Sequence, residues 1–210
     1  MTVRAAHADA SGTLLGALTP GANLDRWIRV AAVLLITALT AAAAQISIPL
    51  PFTPVPFTLQ PMVVLLGGAA LGSRLGMASQ VLYLLIGIAG FPVFATSPAL
   101  PQGFLRLLGP TGGYLMSYPF AAFVTGALAE RGFDRRYLTS VLAMVAGLAV
   151  IFAFGVAWLA WFARPAHNGL AAALRTGLYP FVPADIIKVC LAAAIMPAIW
   201  KLVGSPPQRT

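Results

Sequence analysis

Six apolar stretches, each about 15 to 25 residues and so of membrane-helix length, follow one another at roughly 28–46, 56–73, 75–91, 109–129, 138–162 and 181–203. They take up most of the 210 residues, leaving little chain for a domain that folds in water. Composition agrees, with 60% hydrophobic and 9% charged residues and a mean hydropathy of +0.88, outside the range of soluble domains. The expected architecture is an all-α integral membrane protein of six transmembrane helices in a bacterial-type cytoplasmic (inner) membrane. The second and third stretches are short for a bilayer and closely joined, which fits tilting or partial re-entry; six complete crossings is the expectation.

The expected division is a disordered N-terminal tail (1–25), a membrane domain (26–204) and a C-terminal tail (205–210). Residues 1–25 are rich in alanine and glycine, carry Arg4, Asp9 and Asp25, and lack the compact apolar core of a cleavable signal peptide. The single cysteine, Cys190, lies within the last stretch, which excludes an intrachain disulfide or a cysteine metal site and leaves packing as its role. A net charge of +8 could indicate nucleic acid. The basic residues are scattered over connecting segments rather than gathered on one soluble face, so no nucleic-acid partner is expected and the charges are read as topology signals.

With the N-terminus inside, the inner segments hold nine basic residues (Arg4, Arg26, Arg29, Arg74, Arg131, Arg135, Arg136, Lys201, Arg209) and the outer ones three (Arg106, Arg164, Arg175). The positive-inside rule therefore places both termini in the cytoplasm. In that orientation the irregular segments "SIPLPFTPVPFTLQ" (47–60), "GFPVFATSP" (90–98), "GPTGGYL" (109–115) and "YPFVPADIIK" (179–188) meet at the outer face, while "LGSRLG" (71–76) and "ERGFDRR" (130–136) form the inner turns. Non-helical backbone at membrane depth is tolerated only against protein or water, so their convergence points to an outer pocket.

Several chemistries are missing. The chain has no G-x-x-x-x-G-K-[ST], so it does not hold nucleotide phosphates in the P-loop manner. It also lacks H-E-x-x-H, G-x-S-x-G and any acidic pair within a span, and its histidines, His7 and His167, fall in a tail and a loop. No catalytic residue, metal or cofactor is expected.

Against this apolar background, Asp185 and Lys188 stand out. An ionisable group within a membrane helix costs about 2.5 to 3.5 kcal/mol or more, so each needs a partner, a cavity or a task. Three apart, they share a helix face, and Pro183 suits the first turn of that helix. A carboxylate in a first turn is stabilising in itself, by about 0.3 to 1 kcal/mol, and a lysine can pair with it or snorkel. Lys188 lies about 7.5 Å into the helix at 1.5 Å per residue, sheltered yet near the outer mouth, and this position favours a binding role. In "GPTGGYL", Thr111 is placed to cap the fourth helix, and Gly112 and Gly113 let another helix or a ligand come close. The aromatics Phe52, Phe57, Phe91, Phe94, Tyr114, Tyr179 and Phe181 fit an interfacial belt, and some could wall an apolar cavity. Gly68, Gly72 and Gly76 recur every four residues, but Arg74 interrupts the face, so a tight turn is favoured over a dimer seam.

Taken in order, "AQISIPLPFTPVPFTLQ", "LYLLIGIAGFPVF", "GPTGGYL" and "PFVPADIIK" closely resemble the BioY family, the biotin-specific S components of energy-coupling factor (ECF) vitamin transporters. The resemblance spans about residues 26–203, and "GPTGGYL" followed by a late P-x-D-x-x-K is specific to it. It implies six membrane helices, capture of biotin from outside, and assembly with a transmembrane T component and two ABC-type ATPases, which fits the missing P-loop. The residues suit the ligand. Biotin's ureido ring offers two N–H donors and a carbonyl acceptor, complementary to a carboxylate and an ammonium, and the aspartate and lysine matching Asp185 and Lys188 are ligand contacts in the family. Tyr114, Gly112, Gly113, Phe94, Phe57 and Phe181 complete the expected site. Arg106, the one basic residue between spans three and four, is placed to meet the tail carboxylate, or else is an ordinary exposed loop arginine. The family's asparagine contact after the third helix is absent from "FPVFATSPALPQGF" (91–104), leaving Thr96, Ser97 or Gln102 to replace it, or the role unfilled.

S components typically present small residues of the first helix to the T component. Ala38 and Ala42 are the expected contacts, with Thr37 and Ala41 the adjoining pair and the register open; an alanine-rich span also contains such spacing by chance. A stand-alone secondary transporter is the alternative reading. It would usually need an intramembrane ionisable relay, and this chain offers a single pair. Oligomeric state, a homo-oligomer included, is left open.

Overall fold

A computed structural model describes residues 12–18, 25–96, 101–162 and 169–203. In chain order these form α1 (Leu14–Leu18), α2 (Asp25–Gln45), β1 (Ser47–Ile48), β2 (Phe57–Thr58), α3 (Gln60–Leu71), α4 (Ser73–Ile88), α5 (Leu105–Leu108), α6 (Gly112–Ala129), a 3-10 turn (Phe133–Arg135), α7 (Tyr137–Phe162), α8 (Gly169–Gly177) and α9 (Val182–Val203). The long helices α2, α3, α4, α6, α7 and α9 coincide with the six apolar stretches. Three of them, α2 over Arg26–Gln45, α7 and α9, are long and apolar enough to cross a membrane. Helices α3 and α4 span only about 18 and 24 Å at 1.5 Å per residue, short of a hydrocarbon core of about 30 Å.

The apolar stretches overran their helices at one end of the bundle. Phe57 and Thr58 belong to an antiparallel ribbon, β1 with β2, in which Ser47 pairs with Thr58 and Ile48 with Phe57. The prolines between the two strands prevent α3 from starting earlier, and Pro61 then sits in its first turn. Likewise α6 begins at Gly112 rather than at 109. The other end is built differently. Gly72, at φ 84°, turns α3 into α4, and a Cβ on Gly76 would stand 2.8 Å from the Gly68 Cα. The glycine series is therefore a tight helical hairpin, as its interruption by Arg74 implied.

Small residues also set the packing of α6, which lies against α3, α4 and α7. Polar side chains join the helices where no water competes: Thr37 Oγ1 donates to the Ser79 carbonyl at 2.9 Å and Gln80 Nε2 to Thr40 Oγ1 at 3.2 Å. At the Gly72 end, a Glu130 Oε1 oxygen accepts from Ser73 N and Oγ at 2.7 and 2.8 Å. It caps α4, whose N-cap glycine has no side chain to do so. Trp200 Nε1 donates to Asp134 Oδ2 at 2.5 Å, and the Arg135 guanidinium lies 4.9 Å from the Trp200 ring.

Residues 12–18, within the stretch expected as a tail, place a buried Leu14 and pack α1 against α3 and α9. Residues 1–11 and 19–24, and the expected C-terminal tail, lie outside the described residues.

Candidate functional site

The irregular segments do converge, at the end opposite the Gly72 turn. Helix α9 begins at Val182, and the first-turn Asp185 N donates to the Phe181 carbonyl at 2.8 Å. One turn on, Lys188 Nζ lies 2.7 Å from Asp185 Oδ1. The ammonium also donates to the Thr58 carbonyl of β2 at 2.7 Å and sits 3.8 Å from the centroid of the Phe57 ring. Both charged side chains are buried. The lysine does not snorkel to an interface; a carboxylate, a backbone carbonyl and an aromatic face all hold it.

Arg106 is 1% exposed, which corrects its reading as an ordinary loop arginine. Backbone carbonyls that precede α5 hold it there. Its Nη2 donates to the Ala95 carbonyl at 2.7 Å and its Nη1 to that of Pro101 at 3.4 Å. Burial lowers the guanidinium pKa from its usual value, but a guanidinium stays charged in proteins. The loop is pinned from below as well: Gln60 Nε2 donates to the Tyr83 hydroxyl at 2.6 Å, which donates to the Val93 carbonyl at 3.1 Å.

Two cavities occupy this end. One, of about 50 Å³, has Asp185, Lys188 and Phe181 in its wall; the other, of about 40 Å³, has Arg106, Gln60 and Thr111. Both are also lined by Val55, Pro56, Thr58, Tyr114 and Tyr118, so the charged pair and the buried arginine look into adjoining chambers across one set of residues. The Tyr114 hydroxyl donates to the Gly177 carbonyl at 2.8 Å, fixing α8 as an outer brace. Among the described residues no group of His, Cys, Asp or Glu could hold a metal ion.

The structure brings together Asp185, Lys188, Phe181, Tyr114 and Arg106, with Phe57 beneath the ammonium. It places Phe94, Gly112 and Gly113 elsewhere. Phe94 is fully buried edge-on against Tyr83, ring centroids 5.6 Å apart. A Cβ at Gly112 would collide with the Leu107 backbone, and one at Gly113 would lie 2.7 Å from the Phe154 carbonyl. Of the two readings open for these glycines, close helix approach is the one seen. Gly113 faces a separate open apolar groove of about 580 Å³ with Phe154, Trp158 and Trp161, away from both chambers.

Thr111 holds the N-cap position of α6 without a side-chain cap bond, and its buried Oγ1 has no hydrogen-bond partner; the expected cap is not made. Of the candidates for the missing asparagine, Thr96 bonds Gln45 Oε1 at 3.2 Å and Ser97 lies outside the described residues. Gln102 Nε2 donates to the Phe94 carbonyl at 3.3 Å. Phe52, Phe91 and Tyr179 are exposed, as a belt requires. On α2, Ala38 and Ala42 are exposed, whereas Thr37 is buried and Ala41 half-buried.

Sequence reasoning missed Gln60, Thr58 and Tyr118. Tyr118 had a signal, because it follows Tyr114 by four and so shares its helix face. Thr58 acts through its backbone carbonyl, to which side-chain identity is blind.

The family model described as the BioY family matches residues 18–205. The chain belongs to the BioY family. Curated relatives of this BioY chain include the "Probable biotin transporter BioY" of Pyrococcus horikoshii, 42% identical over 79% of this chain and 92% of that protein. The "Biotin transporter BioY" of Thermotoga maritima is 40% identical over 80% and 93%. A crystal structure of the S-component for biotin from an ECF-type ABC transporter superposes with a TM-score of 0.76 at 25% identity, over 86% of this chain and 95% of that one. The fold of that S-component is thus the fold of this BioY chain.

Proposed function

We propose that this chain is the biotin-capturing S component of an ATP-driven ECF-type uptake transporter. The observation that carries the reading is the pair of adjoining chambers, one ending in the Asp185–Lys188 ion pair and the other in the buried Arg106. In this reading the Asp185 carboxylate accepts from the ureido N–H groups and Lys188 donates to the ureido carbonyl. The thioether ring lies against Phe181, and the tail runs to Arg106.

Two chambers of about 50 and 40 Å³ fall below the usual ligand pocket of about 300–1,000 Å³. Biotin is admitted as the segment carrying Val55, Pro56 and Thr58, which walls both chambers, moves outward. The chain crosses the cytoplasmic membrane six times with both termini inside, so the site faces outward. Ala38 and Ala42 on the exposed face of α2 receive the T component, and two ABC-type ATPases in the same complex supply the energy.

Titration calorimetry of the purified protein with biotin, thiamine and riboflavin tests the reading. Binding of biotin alone, without nucleotide, is the expected result. Equal or absent heats for all three vitamins would end it.

A further inference from the structure

The two chambers share a residue with no evident structural task for its polar end. Tyr118 lies one turn deeper on α6 than Tyr114, on the same face, and forms the common floor of both cavities. Its ring stacks on Tyr83, centroids 6.4 Å apart and planes 27° from parallel, which accounts for the aromatic. The hydroxyl is a different matter. Tyr118 is 4% exposed, yet among the described residues its hydroxyl makes no hydrogen bond, whereas those of Tyr114 and Tyr83 each have a backbone carbonyl as acceptor. The hydroxyl is not sealed off either: the fully buried polar atoms without a partner include Thr111 Oγ1 in the same wall but not this hydroxyl, which therefore keeps surface open to the chambers. Phenylalanine would give the same stacking but present no polar group to them.

We infer that Tyr118 is a specificity-determining residue whose hydroxyl donates a hydrogen bond to an acceptor on the bound ligand, between the part held by Asp185–Lys188 and the part held by Arg106. The inference rests on the biotin reading and adds to it a contact that neither charged group supplies. A ligand filling both chambers lies across Tyr118, so the hydroxyl inspects its middle. Because the hydroxyl has no protein partner, removing it weakens the complex and leaves the unliganded protein intact. A tyrosine kept only for packing has no such signature.

The test uses full-length protein in detergent, wild type and Tyr118→Phe, with dissociation constants for biotin, desthiobiotin and biotin amide measured alongside the melting temperature of the unliganded protein. Tyr118→Phe is expected to bind biotin about 2- to 10-fold more weakly, the effect of one neutral hydrogen bond, with an unliganded melting temperature unchanged or raised. The analogues locate the acceptor. If the loss disappears with desthiobiotin the acceptor is the ring sulfur, and if it disappears with the amide it is the carboxylate; a loss common to all three ligands assigns the ureido oxygen. Wild-type affinity for biotin in Tyr118→Phe, or a weakening that comes with a lowered unliganded melting temperature, overturns the inference while the biotin reading stands. Failure of the wild-type chain to bind biotin removes both.

Discussion

Asp185 and Lys188 form a buried ion pair, Nζ to Oδ1 2.7 Å, in the first turns of α9, at the wall of a cavity rather than at the lipid face. If the pair is a ligand site, Asp185→Asn and Lys188→Met each remove a charge-assisted hydrogen bond worth about 1.5 to 3 kcal/mol. The dissociation constant for biotin is then expected to rise roughly 10- to 150-fold at 1.4 kcal/mol per decade. The double variant can regain stability, since it leaves no lone buried charge, but it is not expected to regain affinity. Calorimetry on monodisperse protein separates the cases, and wild-type affinity in both single variants would show that the charges are scaffold.

Arg106→Met should discriminate between ligands. If the guanidinium meets the tail carboxylate, the variant loses about 10-fold or more for biotin and much less for biotin amide. An equal loss for both would mean that Arg106 serves only to tie Ala95 and Pro101 to α5.

Topology can be read by cysteine labelling in a Cys190→Ala background. With both termini inside, a cysteine replacing the exposed Phe52 in the β1–β2 segment is expected to react with an impermeant maleimide in intact cells. One replacing the exposed Arg136 reacts only after lysis. Reversal of the two patterns would invert the chain and turn the chambers toward the cytoplasm.

Glu130→Ala removes the acceptor for Ser73 N and Oγ. Stability is expected to fall by about 1 to 3 kcal/mol, seen as a lower melting temperature, with biotin affinity unchanged because the cap lies at the other end of the bundle. A change in affinity at unchanged melting temperature would contradict that separation.

Asp134 gives the same end of the bundle a pH dependence. Burial raises its pKa above 3.8, opposed by the hydrogen bond from Trp200. A carboxyl whose folded pKa exceeds its unfolded value holds its proton more tightly when folded. Its contribution is therefore complete below 3.8 and is lost as pH rises through the folded value. The melting temperature of the wild type is expected to fall more between pH 4 and 7 than that of Asp134→Asn. Parallel curves would refute it.

The parts of this site written in local sequence were legible. Asp185 and Lys188 are three apart on one helix, so their shared face follows from helical geometry alone, and the Gly72 turn follows from its spacing and Arg74. What escaped is held by contacts between distant segments. The position of Arg106 in the sequence leaves it open as a partner of the tail carboxylate or an ordinary loop arginine, because the contacts with Ala95 and Pro101 that accompany its burial are not written in local sequence. Gly112 and Gly113 looked like ligand contacts because a glycine that admits a helix and one that admits a ligand read identically. The two residues of β2 were hidden because hydropathy does not distinguish an apolar strand from the start of an apolar helix.

The bond from Lys188 to the Thr58 carbonyl joins positions 130 residues apart, the first wall of the chambers to the last helix of the chain. During synthesis the ribbon, α3, α4 and α6 all leave the ribosome before α9 exists, so the chamber walled by Asp185 and Lys188 cannot close in its absence, whereas the Arg106 chamber has no lining residue from α9. The candidate site is consequently completed last, and a nascent chain halted before α9 carries most of the fold and only the Arg106 half of that site.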